Sequence, residues 1–228
     1  MAEEGQAARP ARGRRPLVHH GVELVCGWHY EEEARAQGHA AIAGLDEVGR
    51  GALCGPVVAC AVVLGEGFDA FGIDDSKRLT EKQRERAAAR VRQAARAFCV
   101  GTADHREIDR FNILRATYLA MERAVMGLGV GPDLVLVDAL TVPGIPVPQR
   151  PIVKGDALSV SIAAASIVAK VARDEIMREW DLRYPGYDLA RNMGYGSELH
   201  REALRKMGPT EIHRRSFHGT QRWLFWAD

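Results

Sequence analysis

Short apolar runs alternate along this chain with longer stretches of helical period. Val57–Leu64 (VVACAVVL) is almost purely apolar and β-branched, the pattern of a strand buried on both faces. Before it, an apolar run predicts a first core strand over roughly Ala40–Glu47. Further upstream, Glu23–Ala36 suits a short charged helix, and Met1 to about Gly21 carries no apolar periodicity. Downstream, Thr80-Glu81-Lys82-Gln83 has the form of a capping box and predicts a helix running to about Ala97, followed by a strand over Phe98–Ala103. Ile108, Phe111, Leu114, Tyr118, Met121 and Val125 recur at helical spacing, which predicts one amphipathic helix over Glu107–Leu128. Gly127, Gly129 and Gly131-Pro132 stop it.

Leu134–Val137 is a short strand ending at Asp138, Thr141–Pro151 a proline-rich loop, and Ile152-Val153 a lead into Lys154-Gly155-Asp156. A long helix is expected from Ala157 to about Arg183, with the small residues Ala163, Ala164, Ala165 and Ser166 permitting close packing on a sheet. From Tyr184 the character changes. Tyr184-Pro185-Gly186-Tyr187 breaks the helix, Asn192–Gly196 is a polar aromatic loop, and Ser197–Met207 is a short helix. Glu211–His218 then mixes basic and aromatic residues. That mixture suits a phosphate-backbone surface with a stacking platform, or equally a basic surface helix with core aromatics.

The composition adds limits. With 228 residues, 46% hydrophobic and 27% charged, the chain can bury one sizeable core. A net charge of +1 gives no global sign of nucleic-acid binding, so such a site must arise by local clustering. Cys26, Cys54, Cys60 and Cys99 form no CxxC pair, which argues against zinc and against a disulfide framework. No apolar stretch approaches the roughly 18 residues of a membrane span, and the N-terminus lacks the apolar segment of a secretion signal. A reducing cytoplasm is expected.

The candidate chemistry lies at strand ends. Asp46 and Glu47 are followed at once by Gly49-Arg50-Gly51, and Asp138 and Asp156 close later apolar runs. Adjacent strand residues face opposite ways, so Asp46 and Glu47 share a site only if the strand bends or ends there, which the glycines permit. A Walker A loop is excluded because Arg50 and Gly51 stand where Lys and Ser or Thr are needed, and a dinucleotide fingerprint fails at Cys54. Four carboxylates gathered at one sheet end repel unless cations sit between them, and oxygen ligands suit Mg²⁺ or Mn²⁺. Two such ions about 3.5–4 Å apart can activate water and stabilise the leaving oxygen of a phosphodiester.

The stretches GLDEVGRG, GPVVACAVV, DDSKRL, EIDRFNIL, LVLVDA, VKGD, SIAAASIVAKVARD, GYGSELH and HRRSF occur in order from Gly44 to Phe217. In them the chain resembles the ribonuclease HII family. The resemblance implies an α/β fold with an RNase H-like mixed five-stranded sheet flanked by helices and a helical C-terminal part. The Ala-, Arg-, Gly- and Pro-rich start reads as a disordered basic leader (1–21), either touching nucleic acid or simply solvated, and the resemblance implies a catalytic core (22–183) and a substrate-binding extension (184–228). The resemblance also implies endonucleolytic cleavage of the RNA strand of RNA–DNA hybrids and at single ribonucleotides in duplex DNA, giving 5′-phosphate and 3′-hydroxyl ends. The implied metal ligands are Asp46, Glu47, Asp138 and Asp156, for Mg²⁺ or Mn²⁺. Gly49, Arg50 and Gly51 would read the ribose 2′-OH, Tyr195 would sense the junction, and Lys77, Lys154, Ser166 and Lys170 would meet phosphate. Asp174 is expected in a structural salt bridge. A monomer is expected.

Three positions depart from the family pattern: Ala52 where proline is usual, Ala139 where glycine is usual, and Met193 where a polar residue often stands. Two competing readings are another nuclease or recombinase of this fold, such as a junction resolvase, and a non-catalytic hybrid-binding module. Gly49-Arg50-Gly51 with Tyr195 argues against the first. The second would have lost a carboxylate, and all four are present.

Overall fold

The computed structural model describes residues 17–19 and 22–224. Strand β1 (Leu17–His19) pairs antiparallel with β2 (Val22–Leu24), so part of the expected leader and the start of the expected first helix form a small hairpin. The rest of the 1–21 leader lies outside the described residues. Helix α1 begins only at His29 and runs to Ala36.

The apolar runs build the main sheet. Strand β3 (Ile42–Val48) pairs antiparallel with β4 (Val57–Leu64), and β4 with β5 (Ala95–Ala103), after helix α2 (Glu81–Ala94). Thr80 and Gln83 cap α2 reciprocally, as the sequence predicts. The strand after α2 begins at Ala95, three residues before the expected Phe98. The single helix expected over Glu107–Leu128 is two: α3 (His105–Phe111) and α4 (Ile113–Met126). Asn112 separates them at φ 70°, and its side-chain oxygen accepts from the Arg115 N–H at 3.1 Å to start α4. Strand β6 (Leu134–Asp138) pairs parallel with β3. The proline-rich loop ends in a further strand, β7 (Gln149–Ile152), parallel to β6. The five-stranded order is β5-β4-β3-β6-β7.

After a 3₁₀ turn at Gly155–Ala157 comes α5 (Val160–Arg183), capped by Ser159. On β4, Val57, Ala59, Ala61 and Val63 face a core shared with α3 and α4, while Val58, Cys60, Val62 and Leu64 face one shared with α2 and α5. Both faces are covered, which is why the run carries no polar residue. Helix α5 lies so close to β3 that a Cβ on Gly44 would meet the Ser161 carbonyl carbon at 2.1 Å. Among the described residues no helix is long and apolar enough to cross a membrane.

Beyond α5, helices α6 (Leu189–Asn192), α7 (Glu198–Met207) and α8 (His218–Leu224) follow. Cys54, Met177, Tyr187, Leu189, Leu204 and Ile212 form a separate small core there. Fully buried beside it are His200 and His213. The Thr210 N–H donates to His213 Nδ1 at 3.0 Å, so this ring, when neutral, carries its proton on Nε2. That proton points to His200 Nε2 at 3.1 Å, and His200 Nδ1–H in turn donates to the Tyr195 carbonyl at 2.9 Å. Every ring nitrogen is satisfied with both rings neutral. Burial pushes both below the ordinary histidine range, His213 to about 3, with the neighbouring His200 adding to the shift.

A depressed histidine favours the folded state only while it stays neutral. The stabilisation is therefore complete above about pH 6.5 and is lost as pH falls towards 3, at up to about 1.4 kcal/mol per pH unit per histidine. Melting temperature measured from pH 7.5 to 4.5 is expected to fall less steeply in His213→Asn than in the wild type, although the variant is less stable at neutral pH. Parallel curves would show that the pair does not titrate on unfolding.

Candidate active site

The strand order places the acids. In the parallel pair β3–β6, Leu45 lies opposite Val137, so Asp46 and Asp138 follow at the same carboxyl edge of the sheet. Asp138 in turn lies opposite Ile152, the last residue of β7. From there the chain turns through Lys154, at φ 59°, into the 3₁₀ turn that carries Asp156. An open cavity of about 300 Å³ sits on this edge, lined by Asp46, Glu47, Gly49, Arg50, Gly51, Lys77, Asp138 and Tyr195, with Ser166 and Lys170 of α5 behind them. Strand β3 ends at Val48 and Gly49 turns the chain at φ 93°, so Asp46 and Glu47 both reach the cavity despite their alternation. Asp156 and Lys154 do not line it.

Charge is crowded at this edge. Asp46 is buried and its Oδ1 accepts the Glu47 N–H at 2.7 Å. Burial, then the charges of Glu47 and Asp138, push its carboxyl well above the usual range. Glu47 is also raised by burial, against the pull of Arg50 at 3.3 Å. Its Oε2 is buried with no hydrogen-bond partner among the described residues. Asp138 accepts the Gly155 N–H at 2.8 Å, yet burial and the charge of Asp156 push it up to about 6. Asp156 is buried and takes a 2.7 Å hydrogen bond from Lys77, whose ammonium also lies 3.8 Å from Asp75. Partial burial opposes the Lys77 charge, but Asp156 outweighs it and the group is held above its ordinary range.

Underpartnered anionic oxygens in a small recess form a donor set that fits hard divalent cations. A second cluster, Cys54, His200 and His213, brings its ligand atoms within 4.8 Å of one another. It does not fit a metal. The Thr210 N–H claims His213 Nδ1, which leaves the proton on the Nε2 that would have to bind.

The glycine turn is held from below by two fully buried arginines. Arg214 donates to the carbonyls of Gly49 (2.7 Å), Arg50 (2.8 Å) and Gly55 (2.9 Å), and lies over the Phe217 ring. Arg173, on α5, donates to Pro56 (3.0 Å), Met193 (2.8 Å) and Cys54 (3.3 Å), and lies over the Tyr195 ring. A Cβ on Gly49 would meet Arg173 Nε at 2.1 Å, so this position requires glycine on two grounds. Main-chain bonds from Leu53 to Gly194, Gly55 to Ile212 and Arg214 to Leu53 tie the turn, the Tyr195 loop and the C-terminal segment together.

The basic C-terminal cluster is thus divided. His213 and Arg214 face inward, which corrects the phosphate-surface reading for them, while Arg215 is exposed with its N–H held by Asp109. Arg173 and Arg214 carry no distinguishing mark in the sequence beyond their place within VARD and HRRSF. Asp174 stands in a salt bridge, as expected, and its partner is Lys170, a residue expected to meet phosphate; Ser166 Oγ lies 3.1 Å from Ser76 Oγ. Ala139 adopts φ 59° and Met193 φ 51°, conformations glycine would take with less strain. Ala52 is fully buried and its N–H reaches Gly49 O at 3.3 Å.

The family model for Ribonuclease HII matches residues 43–220. Ribonuclease HII of Geobacter sulfurreducens is 50% identical over 197 residues, covering 86% of this chain and 91% of the relative. The crystal structure of ribonuclease H2 from Pyrococcus horikoshii superposes with a TM-score of 0.69 at 26% identity, covering 83% of this chain and all of that one. The structure of Bst-RNase HIII in complex with Mn²⁺ shares the fold, with a TM-score of 0.64 at 21% identity, over 82% of this chain and 70% of that one. With the family model matching most of the chain, a relative at 50% identity and a superposition over 83% of the chain in agreement, the chain belongs to the ribonuclease HII family, and is an endoribonuclease of the RNase H type.

Proposed function

We propose that the chain hydrolyses the RNA strand of RNA–DNA hybrids and cuts at single ribonucleotides embedded in duplex DNA, leaving 5′-phosphate and 3′-hydroxyl ends. One observation carries this reading. Three acids, the Gly49-Arg50-Gly51 turn and Tyr195 line the same cavity, so a phosphate placed against the acids has its sugar beside the turn. The 2′-OH is what separates RNA from DNA at one position. Tyr195 is partly exposed at the rim, with Gly51 leaving room beside its ring, and would stack on the deoxyribose that follows.

Asp46, Glu47 and Asp138, with Asp156 beside them, would hold two Mg²⁺ or Mn²⁺ ions, which supply a positive field for the attacking water and the departing oxygen. The orphaned Glu47 Oε2 and the raised Asp46 and Asp138 carboxyls support that assignment. Lys77 orients Asp156 and, with Lys154, would meet backbone phosphate. We place this action in the cytoplasm, by a monomer with all these groups on one chain, clearing ribonucleotides from DNA during replication and repair. The core (22–183) carries the four acids, and the extension (184–228) supplies Tyr195. Free Cys26, Cys54, Cys60 and Cys99 suit a reducing compartment.

Asp46→Asn and Asp138→Asn are each expected to abolish cleavage while hybrid binding persists; wild-type-like turnover at saturating Mg²⁺ would sink the ligand assignment. Mg²⁺ or Mn²⁺ is expected to raise the melting temperature of the wild type, and by more at pH 8 than at pH 5. Binding must displace the protons that Asp46 and Asp138 retain at low pH, the latter up to about 6. A pH-independent increment, or one that survives when Asp46→Asn and Asp138→Asn are combined, would place the ions elsewhere. Tyr195→Ala is expected to reduce cleavage at a single embedded ribonucleotide strongly with the protein still folded, and equal single-turnover rates would rule the role out.

A further inference from the structure

Arg173 and Arg214 are fully buried, and among the described residues neither has a carboxylate in ion-pair range. A buried charge without a counterion is costly, and here it is offset by six main-chain carbonyls and two aromatic faces. The location of those carbonyls matters. Two of the three that Arg214 holds belong to Gly49 and Arg50, the residues of the cavity turn.

In a trans peptide, the carbonyl of one residue and the N–H of the next point in opposite directions. Arg214 lies inside the fold and draws the Gly49 and Arg50 carbonyls inward. The N–H groups of Arg50 and Gly51 are thereby turned the other way, and both residues are exposed on the cavity wall. Neither N–H makes a main-chain hydrogen bond among the described residues. A cation on the carbonyl side also polarises each peptide so that its N–H becomes a better donor. The guanidinium is suited to this because its planar fork fixes several donors at once, whereas a lysine ammonium is one point charge.

We propose that Arg214 is a positioning residue for ribose recognition: by holding the Gly49 and Arg50 carbonyls inward, it presents the Arg50 and Gly51 N–H groups as a preset pair of donors for the ribose 2′-oxygen. Arg173 braces the same loop from Cys54 to Pro56 and ties it to the Tyr195 loop through Met193. This rests on the turn being the part that reads the ribose.

The test separates the two ideas. In an Asp46→Asn background, affinity is measured for a duplex with one ribonucleotide and for the all-deoxy duplex of the same sequence. The starting protein is expected to prefer the ribonucleotide; no preference would overturn the turn's role itself. Added Arg214→Lys or Arg214→Gln is expected to lower that preference roughly tenfold, the effect of losing about one good hydrogen bond, with all-deoxy affinity nearly unchanged. Equal losses on both duplexes, or an unchanged preference, would make Arg214 a purely structural residue. Should both variants fail to fold, amide NMR of the Asp46→Asn protein decides. The Arg50 and Gly51 amide protons are expected to shift downfield with the ribonucleotide duplex and not with the all-deoxy one, and identical shifts would overturn the proposal.

Discussion

The arrangement on which the rest depends is a pair of buried guanidiniums whose partners are neutral. Arg173 and Arg214 join three pieces of chain that are remote in sequence: the turn after β3, the Tyr195 loop, and the segment before α8. A carboxylate partner for either would have been the ordinary solution. It would also have set another negative charge close to Asp46, Glu47, Asp138 and Asp156, where burial first, and then the charge of neighbouring acids, already lifts the carboxyls of Asp46 and Asp138 above their usual range. Carbonyl dipoles satisfy the donors without cancelling the charge. The charge that remains lies beneath the turn, while on the cavity side Lys77 is the cation paired directly with an acid, Asp156.

The acids show how topology does what local sequence does not. Asp46 and Glu47 are neighbours in the chain, but Asp138 arrives only because β6 docks parallel to β3, and Asp156 only because β7 then docks on β6. Close packing of α5 makes this edge rigid: Gly44 admits the Ser161 backbone, and Ser166 and Lys170 face the cavity on the same helix.

Legibility from the sequence followed the range of the interaction responsible. The β4 strand, the Thr80 capping box and acids at strand ends could be read because each depends on side-chain type or on neighbours a few residues away. The break at Asn112 could not, because the apolar period on either side continues almost in phase, and one residue in the left-handed region interrupts it. Arg214 and Arg215 were indistinguishable as adjacent basic residues; only the tertiary path shows that one enters the fold and the other stays in water. The His200–His213 pair was missed for the same reason, since thirteen positions separate the two rings and only the packing of α7 joins them. The match to family motifs covered what periodicity could not, notably the role expected of the glycine turn.

The β3–β6 pairing has a kinetic consequence as well. It joins strands on either side of α2, β5, α3 and α4, so the chain must close a very long loop before the sheet edge exists. Local elements such as α2 and the β3–β4 hairpin can form earlier, but a chain in that condition brings only half of the carboxylates together. On the proposed assignment of these acids, hydrolytic capacity therefore appears only after this long-range pairing has formed.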